Sequence, residues 1–103
     1  MIFTIGNTDS YLKALAEDPE LKKIGRRDSL PPRYPDGYPG GTVWPTRDAA
    51  QAYIDEALQH EKPDWDPMKF SVFGLEADWE KDTYTPEDGK RSLLRDAKIV
   101  KLD

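Results

Sequence analysis

The strongest constraint on the fold is a stretch rich in proline and glycine, residues 26–41. Regular structure is excluded over most of it by seven residues: Pro31, Pro32, Pro35, Gly37, Pro39, Gly40 and Gly41. A loop this long in a compact domain is usually functional or mobile, and its prolines lower the entropy lost on ordering. We therefore expect an ordered loop that separates a short N-terminal part from a longer C-terminal part.

A strand and a capped helix follow this loop directly. Thr42 to Trp44 is predicted to be a short strand, and Thr46 is placed to cap a helix with Asp48 in its first turn. Apolar residues recur on one face of that helix, which is predicted to end near His60: Ala50, Tyr53, Ile54, Ala57 and Leu58. This periodicity predicts a helix packed on a sheet.

The remaining N-terminal elements are short. Met1 to Ile5 is predicted to be a strand, followed by a brief helix capped by Thr8 or Asp9. Asp18 before a proline is a start signal for one further helical turn, which would end near Gly25.

Three elements are predicted after the second helix. Lys69 to Ala77 is a strand with apolar residues on both faces, which favours a central position, and Gly74 inside it indicates a bulge or a close backbone approach. Arg91 to Arg95 is predicted to be a short helix, and Ala97 to Leu102 a closing strand with lysines that guard a sheet edge. The fold class is therefore α+β, with a small mixed or antiparallel sheet of about four short strands and two to three helices packed on it.

Length and charge limit the classes of function. The 103 residues fit a single globular domain, and the net charge of −5 opposes binding to nucleic acid or anionic lipid. No membrane span or secretion signal is visible, so we expect a soluble cytoplasmic protein that binds neither nucleic acid nor membrane. The absence of cysteine excludes thiol chemistry.

No pattern in the chain specifies a catalytic or metal centre. His60, the single histidine, falls at a helix end, where a polar side chain is ordinary. The carboxylates from Asp78 to Asp82 resemble part of a calcium loop but lack its glycine and its bidentate glutamate, so a solvated acidic loop is favoured. We expect no metal, no cofactor and no enzymatic residue, although paired carboxylates for hydrolysis stay conceivable in this loop.

A ligand site is predicted at the aromatic loop. Tyr34, Tyr38 and Trp44 can stack on a flat ligand, although for Trp44 a core role is the favoured interpretation. Arg33 and Arg47 can supply forked hydrogen bonds to a planar oxyanion. The acidic loop contributes two further candidates, Asp78 and Asp82.

Four segments carry a resemblance to a known family, and they cover about the C-terminal two thirds of the chain. They are Gly40 to Thr46, Ala49 to Ile54, Phe70 to Leu75 and Asp96 to Leu102. Their order resembles small bacterial domains of ADP-ribosyltransferase-like architecture. That resemblance implies an NAD-related fold whose active members carry Arg or His on the first strand, and Met1 to Ile5 has neither.

Two hypotheses about function follow. The first is a non-enzymatic binding or regulatory module that holds an unknown small ligand or protein partner through the loop rich in proline, tyrosine and glycine. The alternative is a small transferase or hydrolase acting on a nucleotide-like substrate such as NAD or ADP-ribose, with Glu76, Asp78 or Asp82 as its carboxylate.

Overall fold

The computed structural model describes residues 1–23, 42–60, 65–85 and 92–102. The described strands are β1 (Ile2–Asn7), β2 (Lys22–Lys23), β3 (Val43–Trp44), β4 (Phe70–Leu75), β5 (Thr83–Tyr84), β6 (Ser92–Leu93) and β7 (Ala97–Val100). The helices are α1 (Thr8–Glu17) and α2 (Arg47–Leu58), and a 3₁₀ turn spans Pro67–Lys69. The predicted α+β class is confirmed.

Five strands form one antiparallel sheet in the order β2-β7-β4-β1-β3, one strand more than predicted. Strands β5 and β6 form a separate two-stranded ladder. An isolated bridge between Thr42 and Ser92 joins that ladder to the residue before β3. The antiparallel alternative is therefore the one that the chain adopts.

Strand β4 lies between β1 and β7, as its apolar faces predict. Each face of the sheet has its own core. On the side that α1 covers, here called the α1 face, the sheet buries Ile2, Phe73, Leu75, Ala97 and Ile99. On the side that α2 covers, here called the α2 face, Ile5 and Val72 pack against Ala50 and Ile54 of the helix. The sheet is thus a middle layer between two helices.

The two helices begin at side-chain caps. Thr46 accepts a hydrogen bond from the backbone N–H of Ala49 at 3.1 Å, so the predicted cap of α2 is confirmed. The cap of α1 is Asn7, which accepts from the N–H of Ser10 at 3.0 Å, and the predicted Thr8 and Asp9 lie inside the helix. The side-chain oxygen of Asn7, one residue before Thr8, thus accepts the capping hydrogen bond.

Two predicted helical segments are strands instead. After Asp18, whose carboxylate accepts from the N–H of Glu20, the chain enters β2 and pairs with β7. Ser92–Leu93 likewise pairs with β5 where a short helix was predicted. Strand pairing outweighed the local start signals in both places: β2 pairs with β7, which is distant in sequence, and β6 pairs with the nearby β5. As a result β7 is an inner strand and β2 is the edge, so the prediction that the lysines of the closing strand guard a sheet edge is wrong.

Gly74 marks a close approach rather than a bulge. The register of β4 with β1 is continuous from Ile2 opposite Leu75 to Asn7 opposite Phe70. A Cβ at Gly74 would lie 2.6 Å from the sulfur of Met1, which is closer than side chains pack. Glycine therefore makes room for the Met1 side chain on the α2 face.

The sheet curls toward the α1 face. Lys23 on the edge strand β2 donates a hydrogen bond from Nζ to Oγ1 of Thr4 on β1 at 2.5 Å. Strands β7 and β4 lie between them, and in a flat sheet three strand spacings amount to about 14 Å. A lysine stem cannot span that distance, so the edge must bend over this face.

Candidate functional site

Four of the seven predicted ligand-binding residues lie in the described part of the chain, and they belong to different elements. Arg33, Tyr34 and Tyr38 lie outside the described residues and stay predictions. The other four belong to different parts of the fold: Trp44 on β3, Arg47 at the start of α2, and Asp78 and Asp82 in the turn before β5. The ladder that follows this turn packs Leu93 on the α1 face, whereas Trp44 packs on the α2 face.

Asp78 and Asp82 are joined by hydrogen bonds that close a turn between them. The N–H of Asp78 donates to Oδ2 of Asp82 at 2.7 Å, and the N–H of Asp82 donates to the carbonyl of Asp78 at 2.9 Å. Oδ1 of Asp78 accepts from the N–H of Lys81 at 2.8 Å. This pattern of local bonds is typical of a structural turn.

Arg95 occupies the outer side of the Asp82 carboxylate. Its Nε and one terminal nitrogen donate to the two oxygens of Asp82 at 2.7 Å and 3.0 Å. The hydrogen bond from Arg95, together with the backbone bond from Asp78, holds the pKa of Asp82 below its usual range. Both oxygens are thus engaged within the protein, and the described residues contain no group of three His, Asp or Glu side chains able to hold a metal ion.

Four aromatic side chains follow one another along the α2 face, and we call them the aromatic row: Trp44, Tyr53, Trp65 and Phe70. The ring centroids of Trp44 and Tyr53 are 5.4 Å apart, those of Tyr53 and Trp65 are 6.2 Å apart, and those of Trp65 and Phe70 are 4.9 Å apart. The contacts are tilted, stacked and edge-on in turn, within the range that favours aromatic pairs. All four side chains are half-buried.

Each ring of the aromatic row is held by a well-defined element. Trp44 belongs to β3, Tyr53 to the capped helix α2, and Phe70 opens the central strand β4. Trp65 precedes the 3₁₀ turn, which is fixed by a bond from the N–H of Met68 to Asp66 at 3.2 Å and by a buried Pro67. The positions of the rings are therefore set by the surrounding secondary structure.

Sequence reasoning identified one member of this row, Trp44, and assigned the others to the core or to a connector. Tyr53 does lie on the core side of α2, but it is half-buried at the edge of that side, where it contacts Trp44 and Trp65. The available signal was the presence of one aromatic residue on each of four successive elements. No local periodicity connects them.

The α1 face contains a different feature, the amine of the half-buried Lys23. Nζ of Lys23 contacts Thr4, a residue with 0% of its surface exposed. Burial lowers the pKa of Lys23 to about 8, from 10.5. Oγ1 of Thr4 in turn donates to the carbonyl of Thr42 at 3.1 Å, so a short chain of hydrogen bonds links Lys23, Thr4 and Thr42.

A comparison with protein families gives one match. The family described as "Lipoprotein-like, C-terminal domain" matches residues 36–102, which is more than half of the chain. The matched range contains the whole aromatic row and leaves out β1, α1 and β2. Searches among curated proteins and among solved structures gave no match.

This match corrects two predictions. The resemblance to ADP-ribosyltransferase-like domains is wrong, because the matching family is a lipoprotein-like one. The cytoplasmic location is contradicted as well, since a lipoprotein-like family indicates a membrane-anchored or extracytoplasmic protein. In the described part of the chain, neither helix has the length and hydropathy to cross a membrane.

Proposed function

We propose, from the premise that this chain belongs to the lipoprotein-like, C-terminal domain family, that it is a non-enzymatic binding module whose contact surface is the aromatic row. The observation that carries the proposal is the continuous contact of Trp44, Tyr53, Trp65 and Phe70 along one side of α2, with every ring partly exposed. Aromatic side chains that are half-buried offer a large contact area at a small entropic cost.

Rigid placement of the rings supports this proposal. Ala50 and Ile54 hold α2 against the sheet with 0% and 3% of their surfaces exposed, so Tyr53 between them has little freedom to move. Phe70 begins a strand that is paired on both sides over part of its length. Groups that are fixed before binding lose less entropy when a ligand arrives.

Charge indicates which ligands the row favours. The protein carries a net charge of −5, and three of the four charged residues on α2 are the exposed acids Asp48, Asp55 and Glu56. A negative field disfavours phosphates and carboxylates near this helix. Aromatic faces attract flat apolar groups and organic cations, so the row fits a neutral or cationic flat group.

The catalytic alternative has less support than binding. It names Glu76, Asp78 or Asp82 as its carboxylate, and the two oxygens of Asp82 already accept hydrogen bonds from Arg95 and from the backbone of Asp78, which argues against Asp82 in that role. A base must reach the proton that it abstracts. The role of the loop residues Arg33, Tyr34 and Tyr38 stays a prediction of the sequence.

Three probes of equal shape and different charge test the proposal: benzamidine, benzamide and benzoate. We expect the first two to shift the indole N–H signals of Trp44 and Trp65 in an NMR titration, while the signal of Trp79 stays in place. Benzoate should bind more weakly, because the acids on α2 repel it. Equal shifts at all three tryptophans, or no shift with any probe, would contradict the proposal.

Variants separate a binding role from a structural one. Tyr53→Leu removes the middle ring of the row and should weaken benzamidine binding about tenfold, which corresponds to about 1.4 kcal/mol. The matched control is Trp79→Leu, which alters an aromatic residue packed against the α1-face core. Benzamidine affinity should be unchanged in that control, and an equal loss in both variants would count against the aromatic row.

A further inference from the structure

The middle ring of the aromatic row, Tyr53, has one charged neighbour on its own helix. In an α-helix the residues three and four positions away from a side chain lie beside it on the same face. For Tyr53 these positions hold alanines and a single acid: Ala49, Ala50, Glu56 and Ala57. The alanines present no side chain of α2 that could cover the ring. The carboxylate of Glu56 is therefore the charged group of this helix that lies beside the ring.

Glu56 is available to a ligand. Its side chain is exposed, and within the described ranges it makes no hydrogen bond or ion pair. The other two acids of α2 are directed elsewhere, since Asp55 and Asp48 lie about 200° and about 140° around the helix from Tyr53, against about 60° for Glu56. Asp55 also accepts a hydrogen bond from Nε2 of Gln51 at 3.0 Å.

The far end of the aromatic row has no such excess of negative charge. Asp66 directly follows Trp65, and Lys69 directly precedes Phe70, so an acid and a base lie within one short turn. Their opposite charges offset each other for a ligand at that end. The negative field along the row is therefore strongest beside Tyr53.

An aromatic ring with a carboxylate beside it suits one kind of flat cation. A guanidinium group is planar, stacks on aromatic faces and donates forked hydrogen bonds to a carboxylate. An ammonium group can pair with the carboxylate but has no flat face for the ring, and a neutral flat group gains nothing from the carboxylate. A guanidinium group thus uses both Tyr53 and Glu56.

We propose that Tyr53 and Glu56 together bind the guanidinium group of an arginine side chain on a partner polypeptide. This inference rests on the proposed function of the aromatic row and names its ligand. One guanidinium group covers about one ring, whereas the ring centroids of Trp44 and Trp65 lie 5.4 Å and 6.2 Å from that of Tyr53. Alternate side chains of an extended peptide are about 6.6 Å apart, so apolar residues two positions from the arginine can contact these neighbouring rings.

A pair of blocked pentapeptides tests the guanidinium site: leucine-glycine-arginine-glycine-leucine, and the same peptide with citrulline, which keeps the shape of arginine but has no charge. Binding is followed by NMR of the indole N–H groups of Trp44 and Trp65. We expect the wild type to bind the arginine peptide about fivefold more tightly, because an exposed ion pair and a cation–π contact are both modest. In Glu56→Gln the preference should fall to about twofold, since the ring contact alone remains.

The matched control is Asp55→Asn, which removes the same charge from the side of α2 that faces away from Tyr53. This variant should keep the fivefold preference, so the comparison separates a local contact of Glu56 from the general field of the helix. Both substitutions alter exposed side chains, and neither should change the melting temperature by more than about 2 °C. An equal loss of preference in the two variants would overturn the role of Glu56.

The outcomes also distinguish this inference from the proposed function. If benzamidine and benzamide bind at the aromatic row while the two peptides bind equally well to the wild type, the guanidinium site is overturned and the binding function stands. No binding of any probe at Trp44 and Trp65 would contradict both. Methylguanidinium should bind several-fold more weakly than the arginine peptide, and an equal affinity would overturn the polypeptide as the ligand.

Discussion

Both faces of the sheet bury apolar cores, but the faces differ in their polar content. On the α2 face, the half-buried rings of the aromatic row pack against the core, and the charged side chains of α2 are exposed. The α1 face encloses an ammonium group and the hydroxyl of Thr4, in a core that also buries Leu75 and Ile99. Packing stabilises both faces, and on the α1 face the cost of placing the Lys23 amine beside the core opposes it, as the lowered pKa of this lysine indicates.

The largest expected effects test whether the two cores are equivalent. Leu75→Ala on the α1 face and Ile5→Ala on the α2 face each remove a side chain with at most 1% of its surface exposed. Each change should lower the free energy of unfolding by about 2–5 kcal/mol, measured by denaturant unfolding. A cost below that range on one face would show that this face is not a close-packed core.

The second-largest expected effect is an increase in the free energy of unfolding, and it is expected on the α1 face alone. Because burial depresses the pKa of Lys23, the unfolded chain holds this proton more tightly than the folded one. Stability should therefore rise with pH between about 8 and 10.5, by up to about 3 kcal/mol. Lys23→Met should be more stable than the wild type at pH 7 and should lack this rise, as unfolding curves at pH 7 and pH 10 will show.

Lys22→Met is the control for this prediction. Lys22 is exposed, so its replacement should leave the pH dependence of the wild type in place. A wild-type stability that stays flat between pH 8 and pH 10 would indicate that Lys23 reaches water in solution.

Smaller effects come from the caps of the two helices. Thr46→Ala and Asn7→Ala each remove one acceptor for a backbone N–H and should cost about 1 kcal/mol. Helix α2 buries Ala50 and Ile54, whereas α1 has no fully buried residue. Hydrogen exchange should thus show local fraying of α1 in Asn7→Ala, while the amides of α2 stay protected in Thr46→Ala. Fraying of equal extent in both helices would contradict the difference in packing.

The smallest effect concerns the turn before β5. Asp82 has a depressed pKa, so the stability that it provides is present above the unfolded value of 3.8 and is lost as the pH falls through the folded value. Asp82→Asn should differ from the wild type at neutral pH and converge with it in acid, in unfolding curves at pH 7 and pH 3. A difference that persists unchanged at pH 3 would assign the effect to packing.

The parts of this fold that follow from sequence are those that depend on neighbouring residues. The cap at Thr46, the face of α2 that contains Ala50 and Ile54, and the two-faced strand β4 all result from short-range patterns. Strand β2 consists of two residues and exists because β7 pairs with it, which no local signal reports. The same holds for the contact of Lys23 with Thr4, which depends on the curl of the sheet and on no local pattern.

The position of β1 has a consequence for how the chain folds. This strand comes first in the sequence but lies between β4 and β3, and its residue Ile2 pairs with Leu75. Such a pairing closes a long loop, and long closures slow folding. During synthesis, β1 cannot pair with its longest partner until β4 has emerged from the ribosome. We expect this early segment to be the part of the newly made chain that most needs protection from association with other chains.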